Sequence, residues 1–242
     1  MAIKAVSFDF WNTLFTEAAD GFQFYAVRRH GLLSEAVGEF RPVTAEEIRH
    51  ACHVEAQAHH SIWINEHRTL NAEERIVNCV GRLGVSLPED RVSDLARAFE
   101  EGILERPPVL IEGAREAVLS LSQKYRLGII SDVGFSPGRV LRQVLSQVEL
   151  IDVFDSLVFS DEAGHSKPHI EVFKQTARTL QSSPDEMAHV GDLEHTDVVG
   201  AKRAGYRAIR FVGVTPMDPD ERTIADRVTS DLRELPTLID AL

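Results

Sequence analysis

The chain has 242 residues, 43% hydrophobic and 26% charged, with a formal net charge of −12. This composition is that of a globular protein. The acidic balance excludes the basic footprint of a generic nucleic-acid binder, and no apolar run approaches the roughly 20 residues that span a bilayer.

Ala2 to Phe8 is apolar except for Lys4 and Ser7 and stops at Asp9, which predicts a strand buried on both faces, as in a parallel sheet. The pattern then turns helical until about residue 105. Phe22–Val37 is a first helical stretch, with Phe22–Tyr25 and Trp63 expected in the core. Thr44-Ala-Glu-Glu47 is a capping box that opens a helix carrying Ile48, Ala51, Cys52, Ala58 and Ile62. Asn71-Ala-Glu-Glu74 opens another, ending at Gly84, and Pro88-Glu-Asp90 a third. Arg106-Pro-Pro108 is a stiff break that ends this stretch. Residues 16–105 are therefore expected as an all-helical insert, and residues 1–15 with 106–242 as one core domain.

Beyond the break, strands and helices alternate. Gly113–Tyr125 is a helix, Arg126–Ser131 a strand, and Ser136-Pro137 caps the next helix. Leu157–Ser160 is a short strand and Pro168–Leu180 a helix. Met187–Val190 is a strand, Asp197–Ala204 a helix and Tyr206–Val212 a strand. A last strand and helix cover Val228–Ser230 and Leu232–Leu242. This rhythm predicts an α/β fold, a doubly wound Rossmann-like parallel sheet. Cys52 and Cys79 show no metal-type spacing, and the chain runs straight into its first strand with no leader pattern, so a reduced cytoplasmic protein is expected. His50, His53 and His60 fall near one helical stripe. Without a carboxylate or cysteine to complete a ligand set, they read as a polar face before a zinc site. Periodicity leaves the oligomeric state unread.

The carboxyl ends of parallel strands converge on one crevice, where ligands bind in open α/β sheets. Asp9, Ser131 with Asp132, the loop of Lys167, and Asp192 with Asp197 all fall there. Singly, each has an ordinary reading as a turn residue, a surface charge or a helix cap. Together they form a chemical set. Asp9, Asp192 and Asp197 are hard oxygen donors suited to Mg²⁺. Lys167 would offset phosphoryl charge, Ser131 would hydrogen-bond its oxygens, and Asp9 would attack phosphorus.

These residues resemble the haloacid dehalogenase-type hydrolase superfamily. Asp9-Phe-Trp-Asn-Thr13-Leu is similar to its first motif, Ile129-Ile-Ser131-Asp132 to its second, Gly164-His-Ser-Lys167-Pro168 to its third, and Val190-Gly-Asp192 through Asp197 to its fourth. The resemblance implies Asp9 as nucleophile, Lys167 as charge-balancing lysine, and Thr13, Ser131, Asp132 and Lys167 around the phosphate. It implies Mg²⁺ on Asp9, Asp192 and the backbone carbonyl of Trp11, with Asp197 in support, and a small phosphorylated substrate. Residues 16–105 fall where the family carries a helical cap.

Trp11 departs from the pattern. Most phosphatases of the family carry a second Asp there as general acid and base, and an indole exchanges no proton near neutral pH. Losing a positioned acid–base group costs about 10²–10⁴ in rate. Glu194, His195, Asp132 and a residue of the helical insert are the candidate replacements. Two other readings stay open: a 2-haloacid dehalogenase, whose leaving halide needs no proton but whose pattern lacks Gly191-Asp192, and a catalytically impaired phosphate-binding or regulatory protein. A phosphonatase needs a cap lysine, and residues 16–105 contain none.

Overall fold

The computed structural model describes residues 2–218 and 220–242; Met1, where the expected core segment begins, and Pro219 lie outside them. The chain divides into two compact units. One comprises Met1–Thr16, Val109–Asp132 and Leu145–Leu242; the other comprises Glu17–Pro108 and Val133–Val144.

The strands, in chain order, are β1 (Ala5–Phe8), β2 (Phe15–Thr16), β3 (Val109–Leu110), β4 (Arg126–Ser131), β5 (Ser156–Phe159), β6 (Met187–Gly191), β7 (Arg207–Phe211) and β8 (Arg227–Thr229). The helices are α1 (Gly21–Gly38), α2 (Ala45–Glu66), α3 (Ala72–Arg82), α4 (Glu89–Glu101), α5 (Ala114–Ser122), α6 (Gly138–Gln147), α7 (Ser160–Ala163), α8 (Ile170–Thr179), α9 (Val199–Ala204) and α10 (Leu235–Asp240).

In the first unit six strands form one sheet in the order β5-β4-β1-β6-β7-β8, and each neighbouring pair is parallel. The expected Rossmann-like α/β architecture is therefore present. All four residues of β1 are buried, as its apolar pattern requires of a central strand. Phe8 stands level with Ile129 of β4 and Val190 of β6. The turns after β1, β4 and β6 consequently leave the sheet at one edge. Val172, Phe173, Ala177 and Leu180 of the α8 segment and Val198, Ala201 and Ala204 of the α9 segment close over Ala5, Ile130, Val158 and Met187. Burying Phe173 completely contributes roughly 1.5–3 kcal/mol.

Three local features depart from the sequence reading. The expected helix at Asp197–Ala204 begins as a widened π turn over Glu194–Val198 and becomes α-helical at Val199. Leu193 O accepts from both Asp197 N–H and Val198 N–H, which opens the turn. The helix expected from Pro168 starts at Ile170, after His169 takes the N-cap position and accepts from Glu171 N–H. The short antiparallel pair β2–β3 has no periodic signal, because two residues per strand carry none.

In the second unit α1 to α4 pack around Leu33, Val37, Ile48, Ala51, Ile76, Val80, Leu95 and Phe99. Both capping boxes form, Thr44 with Glu47 and Asn71 with Glu74. Residues 133–144, which chain order alone would count with the sheet, belong to this unit. Phe135 meets Phe99 edge-on at 5.4 Å, and Arg139 pairs with Glu100 and Glu101. Phe22 is 77% exposed, a correction to its expected core position; its neighbour Tyr25 takes that place, buried, with its hydroxyl donating to Arg106 O. Across the interior, Arg75 forks onto both oxygens of Glu55 at 2.9 Å.

Candidate active site

The site grows from the carboxyl ends of β1 and β6 within the sheet unit. Asp9 follows β1 directly, and its N–H donates to Val190 O at 2.8 Å, one bond past the end of the ladder. Residues 10–15 then fold into a tight turn. Asn12 adopts φ 55°, a left-handed conformation that asparagine tolerates, and its N–H donates to Phe15 O. This turn brings Thr13 back, so that its hydroxyl donates to Asp9 Oδ2 at 3.4 Å.

Lys167 is the centre of charge. Its ammonium lies 2.5 Å from Asp9 Oδ1 and 2.7 Å from Asp197 Oδ1, and its own N–H donates to Asp132 Oδ1 at 2.9 Å. Asp197 is held from every side. Oδ1 also meets His189 Nε2 at 3.1 Å. Oδ2 accepts from Leu193 N–H at 3.1 Å and from the Thr196 hydroxyl at 3.3 Å. A side chain on Gly191 would lie 2.7 Å from Asp197 Oδ1, so the carboxylate reaches the end of β6 only because that residue is glycine. Asp192 follows β6, and its Oδ2 accepts from the Thr215 hydroxyl at 3.1 Å.

The electrostatics follow from burial and charge count. Burial pushes Asp9 up; Lys167 opposes this, Asp197 and Asp192 add to it, and the carboxyl ends well above the usual range. Burial and the Asp197 charge push Asp192 up to about 6. Burial also acts against charge on Asp197, but Lys167 and His189 outweigh it and hold the carboxyl low. Burial opposes the charge of Lys167, and the carboxylates of Asp197, Asp9 and Asp132 overcome it and keep the amine protonated. The buried acids Asp9, Asp192 and Asp197 thus lie in the field of one ammonium, a deficit of positive charge that a divalent cation would correct. Oxygens of Asp9, Asp192 and Asp197 lie within 4.8 Å of one another, and among the described residues no other His, Cys, Asp or Glu group has that spacing. The donor set, hard oxygens only, fits Mg²⁺.

The remaining candidates take distinct places. Ser131 is buried at the end of β4, and its hydroxyl donates to Asp132 O at 3.3 Å. Asp132 engages the Lys167 backbone, which holds the lysine loop on the sheet; a carboxylate there offers a phosphate no attraction. Trp11 packs edge-on against Phe10 at 5.1 Å. Glu194 is committed: Oε2 accepts from Arg210 at 3.3 Å and Thr223 at 2.6 Å, and Oε1 from Ile224 N–H at 2.9 Å. His195 is exposed on the opening π turn.

Sequence reasoning missed His189, Ser7, Thr215 and Arg210. Ser7 and His189 are the polar residues inside otherwise apolar strands, and they stand level across β1 and β6. Arg210 is buried and donates to Asp192 O at 3.2 Å, tying β7 to the loop that follows β6.

A family model described as haloacid dehalogenase-like hydrolase matches residues 3–205. Over 135 residues the chain is 32% identical to a glyceraldehyde 3-phosphate phosphatase of Pyrococcus furiosus, covering 54% of each protein. Over 133 residues it is 31% identical to haloacid dehalogenase-like hydrolase domain-containing protein 3 of Bos taurus, covering 55% of this chain and 49% of that protein. The chain thus aligns with about half the length of these curated relatives. Among solved structures, a 2-haloacid dehalogenase from Pseudomonas syringae pv. Tomato superposes with a TM-score of 0.72 at 20% identity over 99% of both chains. A HAD phosphatase from Thermococcus onnurineus superposes with a TM-score of 0.70 at 22% identity over 98% of both. At these identities the superpositions establish the fold.

Proposed function

The chain belongs to the haloacid dehalogenase-like hydrolase family, and from that premise we propose that it is a Mg²⁺-dependent phosphohydrolase of a small phosphorylated metabolite, with Asp9 as nucleophile. The observation that carries this reading is the cluster of Asp9, Asp192 and Asp197 around Lys167. The phosphatase names of the curated relatives support it.

Asp9 presents Oδ2 to the substrate while Lys167 holds Oδ1. Oδ2 attacks phosphorus, and the bond from phosphorus to the leaving oxygen breaks with its electron pair. The products of this step are an aspartyl-phosphate and the departing group. Water then attacks the phosphorus, releasing phosphate and restoring the carboxylate. Mg²⁺, held by Asp9, Asp192 and the Trp11 carbonyl, would neutralise charge on the phosphoryl oxygens. Asp197, with both oxygens engaged by Lys167, His189, Leu193 and Thr196, orients the lysine and supports the ligand set from behind. Lys167 and the Ser131 and Thr13 hydroxyls face the phosphate in this reading.

Trp11 supplies no proton to the leaving group, and Glu194 is already engaged. The activity therefore favours leaving groups that depart as stable anions, such as acyl and aryl phosphates. No helix of the described residues is long and apolar enough to cross a membrane, and a cytoplasmic setting belongs to this reading.

The test is hydrolysis of acetyl phosphate and p-nitrophenyl phosphate with Mg²⁺ and with chelator, beside Asp9→Asn. Turnover that requires both Mg²⁺ and Asp9 is expected; absence of phosphate release under all conditions refutes the reading. Trp11 favours one alternative, halide displacement, which needs no proton donor. Chloride release from 2-chloropropionate that persists in chelator would establish it.

A further inference from the structure

The helical unit holds two thiols that the hydrolase chemistry leaves unused. Cys52 on α2 and Cys79 on α3 bring their sulfurs to 3.6 Å across the seam between the two helices. Cys52 is half-buried, whereas Cys79 is buried. The seam is clamped beside them. Glu55 lies three residues after Cys52 on α2 and Arg75 four before Cys79 on α3, and their two 2.9 Å bonds hold the helices in register. A second observation concerns charge. The Arg29 guanidinium is half-buried, lies over the Phe135 ring at 4.2 Å, and makes no hydrogen bond or ion pair among the described residues. Its positive charge stabilises an anion beside it.

From this geometry we propose that Cys52 and Cys79 are a redox-modification site, an intramolecular dithiol that small-molecule disulfides oxidise reversibly to a bridge between α2 and α3. Cys52, the less buried of the two, gives its proton to solvent and attacks one sulfur of a reagent R–S–S–R. The reagent's S–S bond breaks, a mixed disulfide forms on Cys52, and one thiolate leaves and takes a proton. Cys79 then gives up its proton and attacks the Cys52 sulfur, and the second R–S⁻ departs and is protonated. The two protein thiols lose two electrons and two protons, and the reagent becomes two thiols. Closing the bridge requires the sulfurs to move from 3.6 Å to a bonded separation of about 2 Å. The direction of attack agrees with the local charges. The hydrogen bond from Cys79, joined by the Arg29 and Arg75 charges, holds the Cys52 thiol below its ordinary range against burial and Glu55, and the thiolate is the attacking species.

The experiment uses the whole chain and oxidised glutathione, followed by alkylation and intact-mass measurement. The expected product is lighter than the reduced protein by two hydrogen atoms, carries no glutathione, resists alkylation and reverts fully with excess dithiothreitol. Cys79→Ser should stop at the glutathione adduct on Cys52. In urea the second step should slow at least tenfold, because the fold supplies the proximity; this comparison on the native sequence holds even if the variant folds poorly. Persistent alkylation of both thiols, accumulation of glutathione adducts on the native sequence, or equal closure rates with and without urea would each overturn the proposal.

Discussion

Ser7 and His189 meet across β1 and β6, with Ser7 Oγ 2.9 Å from His189 Nδ1. The other ring nitrogen faces the Asp197 carboxylate at 3.1 Å. A carboxylate needs a donor, so Nε2 carries the proton and the serine hydroxyl donates to Nδ1. Burial keeps the imidazole neutral by lowering its proton affinity. A relay of two core residues therefore orients the acid that orients Lys167.

His189→Ala should weaken the fold by about 1–3 kcal/mol, because it leaves a buried carboxylate short of a donor. Urea unfolding measures this. Gln at the same position, able to donate to Asp197, should recover part of the loss and part of the rate expected under the proposed function.

Lys167→Met removes the one ammonium among Asp9, Asp132 and Asp197. Under the proposed function kcat should fall by about 10²–10³-fold, as when a fixed charge-stabilising donor is lost. The variant should also melt lower without metal, and added Mg²⁺ should raise its melting temperature more than that of the native chain. An equal Mg²⁺ shift in both proteins would separate the metal site from the lysine.

The Glu55–Arg75 pair is buried at both ends, with side chains 4% and 7% exposed. Glu55→Gln should cost about 3–5 kcal/mol, since it strands a buried guanidinium. The double replacement Glu55→Leu with Arg75→Met should be markedly less damaging than the single changes combined. Denaturant midpoints of the native chain, the three single variants and the double variant check this.

His59 carries a pH dependence. Burial, with Arg75 next in effect, lowers its pKa to about 4 from 6.5, and its Nδ1 is buried without a hydrogen-bond partner. The unfolded chain thus binds the proton more readily than the folded one. The contribution is complete above about pH 6.5 and is lost as pH falls from there towards 4. His59→Gln should flatten this part of the stability curve, measured as the urea midpoint at each pH.

The convergence of Asp9, Lys167, Asp192 and Asp197 was legible because a parallel sheet delivers its strand ends to one edge, and apolar runs that stop at an acid mark those ends. His189 and Ser7 were present in the sequence only as interruptions of apolar strands. Their contact depends on register, which pairing sets and local pattern does not. Thr215 reaches Asp192 from 23 residues away, along a loop without periodicity. The π turn at Glu194–Val198 arises from one carbonyl shared by two N–H groups, and no residue type announces it. Phe22 follows the apolar pattern yet faces outward, since hydrophobic residues often remain at the surface.

Under the proposed function the indole at position 11 also governs timing. On the proposed route, an acyl or aryl phosphate loads Asp9 without needing a proton, whereas cleaving the resulting acyl phosphate needs an activated water, and no carboxylic acid at position 11 supplies the base. The second half of the cycle then sets the pace. Mixing enzyme with p-nitrophenyl phosphate should release a rapid first equivalent of nitrophenol, followed by a slow steady phase. During that phase much of the protein waits in its phosphorylated form, long enough for an alcohol nucleophile to take the phosphoryl group in place of water.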